Sequence, residues 1–366
     1  MNVALLTPRY FPEVRRGTER VVREVARQLV RRGHRARVVT SHRGLPSRRD
    51  DDGVAVLRLP RPPGEGRLRR HAFADHLTHV PLTYAALLAG DDDLAHAFYP
   101  TDGVAAVRWG RRRDRPVVLS WTGVPNRPTL AARRLNLEVI ARSVLAADAV
   151  VVPSHAAAWA MERWLGVDAQ VIWPGVDLDV FAPTAPRSPE PAIFCAAAAD
   201  DDRKRVPLLL EALPAVRRAR PGARLLLVRP ADARVAARLA AVDGVELVEP
   251  LDDPRALAAR YSSAWVSALP AYDEAFGLVL AEALACGTPV VGRRDAGIPE
   301  VVGDAPVGRL FDGDDPGAVA TALLEGLELA ESDGIADACR RRAAAFSTDE
   351  AGRRHADLYR SLLTGS

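Results

Sequence analysis

The stretch that decides the fold of this chain covers residues 270–303 and reads PAYDEAFGLVLAEALACGTPVVGRRDAGIPEVVG. Its apolar run at 281–285 has helical spacing and stops at Gly287, a residue type that readily takes the left-handed conformation that ends a helix. Val290 and Val291 then begin a buried strand. The stretch is therefore predicted to form a loop, a short helix, a turn and a strand, followed by a second glycine loop at 296–300.

Two carboxylates and a glycine inside this stretch indicate its chemistry. Glu274 and Glu282 stand eight residues apart, with Phe276 and Gly277 between them. A carboxylate can accept hydrogen bonds from two vicinal hydroxyls, so two carboxylates about two helical turns apart can hold two sugar rings. Amides at a helix N-terminus beside a glycine suit a phosphate. A nucleotide sugar has this layout, although an amphipathic helix with one exposed glutamate gives the same spacing.

The pattern E-x7-E, with Phe-Gly inside it and Ala-Cys-Gly-Thr-Pro-Val-Val after it, resembles the retaining glycosyltransferases of the GT-B fold, glycosyltransferase family 4 (glycosyl transferases group 1). The resemblance implies an α/β protein with two doubly wound Rossmann-like domains facing a central cleft, and a C-terminal helix that crosses back to the first domain. It also implies that Glu274 contacts the transferred sugar and Glu282 the nucleoside ribose. The amides implied to contact the sugar and the diphosphate belong to Phe276, Gly277 and Leu278.

Length and cysteine content bound the class of protein. A chain of 366 residues is expected to form two domains of ordinary size. Its three cysteines, Cys195, Cys286 and Cys339, are widely spaced, which favours a reducing compartment over a disulfide framework or a zinc site. No apolar run approaches a transmembrane helix, and the N-terminal one is too short for a signal peptide. The expected location is the cytoplasm, with peripheral contact to the inner face of the membrane left open.

Charge is unevenly shared along the chain, although its net value is only +3. Residues 1–178 hold 28 arginines against 18 acidic residues, a balance of +10, whereas residues 179–366 have a balance of −7. A basic first half suggests an anionic or lipid-linked acceptor. The moderate isoelectric point and the lack of a basic-aromatic recognition module argue against nucleic acid.

The N-terminal segment predicts the opening of a doubly wound sheet. Residues 2–6 read as a strand, 18–32 as a helix closed by Gly33, and 38–40 as the next strand. The first loop lacks G-x-G-x-x-G, so a dinucleotide site is weakly supported. In the resembled family a Gly-Gly pair precedes this helix near the donor phosphates; Gly17 fits the second position, and Arg16 replaces the first glycine.

A stripe of arginines follows the same helix, opposite its valines. It is predicted either to be a solvated face or to dock helix 18–32 on an anionic lipid or a phosphorylated acceptor. Its members are Arg16, Arg20, Arg23, Arg27 and Arg31.

Two later strands, at 94–98 and 117–120, are expected to end at the edge of the first sheet where ligands of such sheets bind. Trp121, Thr122 and Gly123 follow the second of them and form a candidate acceptor wall, in a place that the resemblance supports. Many family members carry His-Gly here, and a threonine cannot carry a proton at neutral pH. His96 is a further acceptor-side candidate, although a lone histidine is more often structural.

The boundary between the domains is predicted near residue 180. The segment Pro174-Gly175-Val176-Asp177 is similar to the interdomain segment of the family, and a proline-rich linker follows Phe181. The expected domains are therefore 1–180, joined by a C-terminal helix at 347–366, and 181–346, which binds the nucleotide sugar.

Lys204 is the single lysine of the chain, against 49 arginines. The family expects Gly-Arg after the first strand of the second domain, then a lysine before a helix, both binding the diphosphate. Lys204 matches the lysine, but the chain has alanines at 196–199, so Arg203 or Arg205 is expected to supply the second cation. Two cations would stabilise the charge that grows on the leaving diphosphate, although a solvated charge run has the same composition. Leu251 begins the segment that the family places near the base.

The expected function is that of a retaining, metal-independent glycosyltransferase of the hexosyltransferase class. The expected donor is a UDP- or GDP-sugar, with no other cofactor. The resemblance implies the favoured mechanism of the family, in which the leaving phosphate itself helps to deprotonate the acceptor on the same face of the sugar. One alternative is metal chemistry at the Asp-Asp-Asp runs at 50–52, 91–93 and 200–202. Others are a nucleotide-sugar epimerase, a phosphorylase, and a non-catalytic protein that only binds nucleotide sugar, the last suggested by the lost His-Gly and Gly-Arg pairs.

Overall fold

The structure is a computed structural model that describes residues 1–15, 17–62, 76–131, 134–251, 253–304 and 306–365. Arg16, the first member of the arginine stripe, lies outside the described residues. The chain divides into two compact units, of which the first comprises Met1–Gly175 with Thr348–Ser366 and the second Val176–Ser347. The predicted boundaries fall within a few residues of these divisions.

The strands of both units are short. They are, in chain order, β1 Asn2–Leu6, β2 Arg35–His42, β3 Ser47–Asp51, β4 Val54–Pro60, β5 Leu94–Ala97, β6 Val117–Ser120, β7 Ala149–Val152, β8 Gln170–Val171, β9 Ala192–Cys195, β10 Arg224–Val228, β11 Val245–Val248, β12 Val266–Leu269, β13 Val290–Arg293 and β14 Gly308–Phe311. They form one sheet in the order β3-β4-β2-β1-β5-β6-β7-β8 and a second in the order β11-β10-β9-β12-β13-β14. Neighbouring strands are parallel apart from β3, which runs antiparallel to β4 at an edge.

Helices connect most of these strands. They are α1 Gly17–Arg31, α2 Val80–Leu88, α3 Pro100–Arg113, α4 Arg127–Ala131, α5 Arg134–Ser143, α6 His155–Leu165, α7 Val206–Ala219, α8 Ala233–Ala240, α9 Pro254–Ser263, α10 Leu278–Ala285, α11 Ile298–Val302, α12 Pro316–Ala330, α13 Ile335–Ala344 and α14 Thr348–Thr364. None of the described helices combines the length and the apolar character needed to cross a membrane.

The core of the first unit lies on both faces of its sheet. Successive side chains of a strand point to opposite faces, so Leu5 packs with α1 on one face while Leu6 packs with α2 and α3 on the other. Tyr359 of α14 is fully buried in the same cluster as Leu5 and α1. The C-terminal helix therefore returns to the first unit, as expected from the sequence.

The order of the strands sets the place of a ligand. In the second sheet the chain proceeds from β9 to β10 and β11 on one side, and from β12 to β13 and β14 on the other. The direction thus changes between β9 and β12, and in the first sheet it changes between β1 and β5. Ligands of open α/β sheets bind outside the carboxyl ends of the strands at such a switch point. The loops after these strands are therefore where a site is expected.

Candidate functional site

Lys204 and Glu274 meet at the switch point of the second sheet. Lys204 lies in the loop after β9 and Glu274 in the loop after β12, and the Lys204 Nζ lies 2.5 Å from a carboxylate oxygen of Glu274. The two side chains are only 22% and 20% exposed. The Tyr272 N–H also donates to the Arg203 carbonyl at 3.0 Å, which joins the same two loops through the backbone. Two residues that the sequence analysis took from separate motifs are thus in contact.

The loop that carries Glu274 has an unusual backbone conformation. Asp273 has a φ of 50°, and Ala296 in the loop after β13 has a φ of 47°. Residues other than glycine adopt this left-handed region only when their surroundings hold them there. The Asp273 N–H donates to the Asp295 carboxylate at 2.7 Å and supplies part of that restraint. Asp295, which was not predicted as a site residue, therefore shapes the loop.

Gly297 brings the loop after β13 against the loop that carries Glu274. Its N–H donates to the Glu274 carbonyl at 2.9 Å. A Cβ added at Gly297 would lie 2.2 Å from the Ala275 carbonyl oxygen, which is closer than atoms can approach without a shift. Only glycine fits here, so the second glycine loop predicted from the sequence is needed to position the first.

The N-terminus of α10 offers backbone amides. Gly277 has a φ of 94°, and the first bond inside the helix runs from the Leu280 N–H to the Gly277 carbonyl at 2.9 Å. The amide of Leu278 therefore precedes the first helical bond, beside a residue without a side chain. The ring of Phe276 is buried and packs edge-on against Phe346. The ring of Phe276 thus belongs to the core, and contact of its amide with a ligand stays a prediction.

Glu282 lies on α10 and is 1% exposed. Its carboxylate accepts a hydrogen bond of 3.2 Å from the hydroxyl of Tyr261, which is also buried. Tyr261 was not predicted from the sequence, because an aromatic residue on a helix gives no signal beyond core packing. The contact of Glu282 with a ribose stays a prediction.

The two arginines that flank Lys204 are each held by a carboxylate. Arg203 is 57% exposed in its side chain and pairs with Asp201 at 2.8 Å. Arg205 has a φ of 51° at the start of α7 and pairs with Asp314 at 2.7 Å. Leu251 lies in the loop after β11, two strands from β9. The structure therefore brings the cations to the switch point, while Leu251 stands at the edge of the sheet.

The first unit presents neutral groups at its switch region. Thr18, in the first turn of α1, and Thr122, in the loop after β6, share a hydrogen bond of 3.0 Å between their hydroxyls. Trp121 is half-buried and donates its N–H to the Val151 carbonyl, and Gly123 follows it. Gly17 is exposed, and a Cβ there would meet no atom within 4 Å. The predicted acceptor-side residues 121–123 thus adjoin the start of α1.

His96 does not lie on an open wall. It is fully buried, with Nδ1 at 2.5 Å from the Tyr359 hydroxyl and Nε2 at 2.8 Å from the Ser120 hydroxyl. Burial, and then the charge of His355, lower the pKa of His96 well below its usual value. Both ring nitrogens are engaged within the core, so we leave His96 out of the site.

The arginine stripe on α1 is partly neutralised. Arg23 pairs with Asp51 at 3.0 Å and lies over the ring of Phe11, and Arg27 pairs with Asp52. Asp51 ends β3, and Asp52 lies in the turn between β3 and β4. Part of the charge in the middle of the stripe is thus balanced by carboxylates, and docking of helix 18–32 on an anionic lipid or acceptor stays a prediction.

The Asp-Asp-Asp runs have structural partners. Asp51 pairs with Arg23, Asp92 accepts from Arg37 at 2.8 Å, and Asp201 accepts from the N–H of Arg203 at 3.0 Å. Within the described ranges, no three His, Cys, Asp or Glu side chains come close enough together to hold a metal ion.

Comparison with solved structures assigns the fold. The chain superposes on sucrose-phosphate synthase from Thermosynechococcus elongatus with a TM-score of 0.80 and 23% identity, covering 100% of both chains. It superposes on Anabaena HepE, solved in complex with UDP-glucose, with a TM-score of 0.72 and 19% identity, covering 99% of this chain and 100% of the other. Two Rossmann-like units with this topology define the GT-B fold.

Comparison of sequences then gives the family. The model described as Glycosyltransferase Family 4 matches residues 15–180, and that described as Glycosyl transferases group 1 matches residues 190–328. D-inositol 3-phosphate glycosyltransferase of Xylanimonas cellulosilytica is 32% identical, covering 92% of this chain and 90% of that protein. Phosphatidyl-myo-inositol mannosyltransferase of Mycobacterium tuberculosis is 30% identical, covering 89% and 86%. The chain belongs to glycosyltransferase family 4, and the resemblance stated from residues 270–303 is confirmed.

Proposed function

We propose that this protein is a retaining, metal-independent glycosyltransferase that moves a sugar from a nucleoside-diphosphate sugar to an acceptor hydroxyl. The observation that carries the proposal is the contact between Lys204 and Glu274 across the switch point of the second sheet. One cation and one carboxylate, each about one-fifth exposed and carried by the loops after two neighbouring strands, match a donor whose phosphates are anionic and whose sugar presents hydroxyls.

The proposed roles follow from what each group can bind. Glu274 accepts hydrogen bonds from hydroxyls of the transferred sugar, and the amides at 276–278 donate to the sugar and the diphosphate. Lys204 neutralises charge that grows on the diphosphate as the glycosidic bond breaks, which lowers the barrier most when the cation is already in place. Arg203 and Arg205 add to the positive charge there, Glu282 receives the ribose, and Leu251 lies towards the base.

The proposed chemical step needs no protein nucleophile. The bond between the anomeric carbon and the diphosphate oxygen breaks, and the acceptor oxygen attacks the same face of the sugar. The acceptor proton passes to an oxygen of the departing phosphate, so charge and atoms balance and the anomeric configuration is kept. Thr122 therefore requires no proton-transfer role, and its hydroxyl is bound to Thr18.

The proposed acceptor is a polyol that carries a phosphate, either free or as part of a lipid. The names of the two relatives include D-inositol 3-phosphate and phosphatidyl-myo-inositol. The neutral hydroxyl pair of Thr18 and Thr122 suits hydrogen bonding to a polyol.

Thermal-shift measurements with UDP-, GDP-, ADP- and dTDP-sugars test the donor, because a ligand that binds only the folded protein raises its melting temperature. We expect one base to give the largest shift, and no shift with any donor would overturn the proposal. The selected donor is then incubated, with and without EDTA, with inositol 3-phosphate or with phosphatidylinositol vesicles. Transfer lost in EDTA, a product of inverted configuration, or free epimerised sugar formed without acceptor would each contradict a part of it.

A further inference from the structure

One carboxylate at the edge of the second sheet holds two guanidinium groups. Asp314 pairs with Arg205 at 2.7 Å through one carboxylate oxygen, and with Arg293 through the other. Two cations on one anion leave this cluster with a net positive charge. The Nε of Arg205 is buried and finds no hydrogen-bond partner among the described residues, so the cluster also has an unused donor.

The cluster lies beside the Lys204–Glu274 pair. Arg205 directly follows Lys204 in the chain, Arg293 ends β13, and Asp314 follows β14. In the second sheet, β12 and β13 lie between β9 and β14. The ion pair between Arg205 and Asp314 therefore spans β12, the strand whose loop carries Glu274. The three side chains thus gather at the same carboxyl edge as the proposed donor site, and the side chain of Arg293 is only 19% exposed.

Arg205 and Arg293 supply positive charge near the first strand of the second unit, where the sequence pattern lacks an arginine. The resembled family has an arginine after the first strand of the second domain, and this chain has alanines at 196–199. The guanidinium of Arg203 is 57% exposed, against 19% for the side chain of Arg293, so solvent screens its charge more strongly. Arg293 comes from a different strand, which is why no pattern in the sequence pointed to it.

We propose that Arg293 binds the diphosphate of the donor together with Arg205, and that Asp314 is a positioning residue that holds the two guanidinium groups side by side. The proposal rests on the proposed function and adds Arg293 and Asp314 to its site. A guanidinium presents a planar fork of donors that matches phosphate oxygens, and a diphosphate offers enough oxygens for two such forks. Limited exposure of Arg293 reduces the screening of this attraction by solvent.

Calorimetric titration with a nucleoside diphosphate and with the matching monophosphate tests the proposal, using the base that stabilises the wild-type protein most. Arg293→Gln is expected to weaken binding of the diphosphate by about tenfold or more, since a charge-assisted hydrogen bond is lost. Binding of the monophosphate should change much less. Arg294→Gln is the matched control, because Arg294 is the next residue, is 56% exposed and pairs with Asp312 at 3.4 Å; it should leave both affinities unchanged.

The outcomes separate this inference from the proposed function. If the wild-type protein binds no nucleoside diphosphate, the proposed function fails. If it binds one and Arg293→Gln weakens both nucleotides equally, or neither, the role of Arg293 is overturned. Asp314→Asn should lower the preference for diphosphate less than Arg293→Gln does, and an unchanged preference would remove its positioning role. If Arg293→Gln does not fold, Arg293→Lys keeps the charge without the fork and should show an intermediate preference, whereas a wild-type preference would count against the proposal.

Discussion

The carboxyl edges of the two sheets share a topology but differ in chemistry. The edge of the second sheet carries half-buried ions, namely Lys204 with Glu274, and Asp314 with two arginines. The edge of the first sheet carries the hydroxyls of Thr18 and Thr122. Because side chains in the loops set the chemistry while the strands set only their position, one fold can carry ion pairs at the edge of one sheet and a pair of hydroxyls at the edge of the other.

The net charges of the two halves of the chain suggest the opposite arrangement, with the cationic site in the first unit. The first half of the chain is basic and the second acidic, yet the cluster described above in which two arginines share one carboxylate belongs to the second unit. Arg23 of the first unit is bound to Asp51 at the end of β3, and Arg27 to Asp52 in the turn that follows. Whether a cation is available to a ligand therefore depends on its local partners, which a charge balance does not show.

The largest effect is expected at the ionic edge. Lys204→Gln and Glu274→Gln should each lower the rate of sugar transfer by about 100- to 1000-fold, as expected when a group that stabilises the transition state is removed. The double variant should be little worse than the poorer single one, because the two side chains act together. Steady-state transfer with the selected donor measures this.

The matched control is an exposed ion pair of the same unit, Arg224 with Glu246 at 3.1 Å. Surface pairs contribute little, so replacing both residues by glutamine should leave transfer near the wild-type rate. Wild-type transfer by Lys204→Gln and Glu274→Gln would instead show that the site is assigned to the wrong edge.

The second expected effect is a loss of stability at low pH that is larger in the first unit than in the second. All eight histidines lie in the first unit, so residues 176–347 contain none. Burial lowers the pKa of His355 to about 4, and that of His96 falls well below 6.5. The unfolded chain therefore binds more protons between pH 6.5 and 4. The first unit should lose about 1.4 kcal/mol of stability per pH unit and per histidine as pH falls through this range.

Hydrogen exchange followed by mass spectrometry from pH 6.5 to 5 would measure this loss separately for peptides of each unit, after correction for the intrinsic exchange rate. Peptides of the first unit should lose protection, and His355→Gln should reduce the loss. An equal loss in both units would mean that groups other than the buried histidines control acid stability.

A smaller effect is expected from the two glycine positions. Gly297→Ala places a methyl group against the Ala275 carbonyl and should destabilise the second unit by about 1–3 kcal/mol. Gly123→Ala in the first unit meets its nearest atom at 3.7 Å and should change stability by about 0.5 kcal/mol or less. Chemical denaturation of both variants provides the comparison, and similar stabilities would show that the loop that carries Glu274 can shift to make room for the methyl group.

The smallest effect is expected at the neutral edge. Thr122→Val removes one hydroxyl from the Thr18–Thr122 bond and should cost about 1 kcal/mol of stability. Transfer should fall by less than tenfold, because neither hydroxyl carries charge in the proposed step. A loss as large as that of Glu274→Gln would give Thr122 a direct part in the reaction.

Sequence reasoning predicted the fold where hydrophobic spacing was regular. The strand at 2–6, the helix that follows it and the strand-forming valines after Gly33 appear as β1, α1 and β2. The edge strand β3 was not predicted, because Ser47–Asp51 has polar, largely exposed side chains that give no alternating pattern. Helix α3 was also missed, and its run of three arginines at the C-terminus obscures the apolar residues that it buries.

The family could be read from the sequence alone, and Glu274 and Lys204 could be chosen as candidate residues, since local spacing within 270–303 and a single lysine carry that information. Only the tertiary structure decided which of the charged residues meet. Glu274 is 70 positions from Lys204, and Arg205 is 109 from Asp314. It also buried His96 and engaged Arg23 and Arg27 in ion pairs. These outcomes depend on which strand ends become neighbours in a sheet, and that order is set by packing of the complete chain rather than by any local pattern.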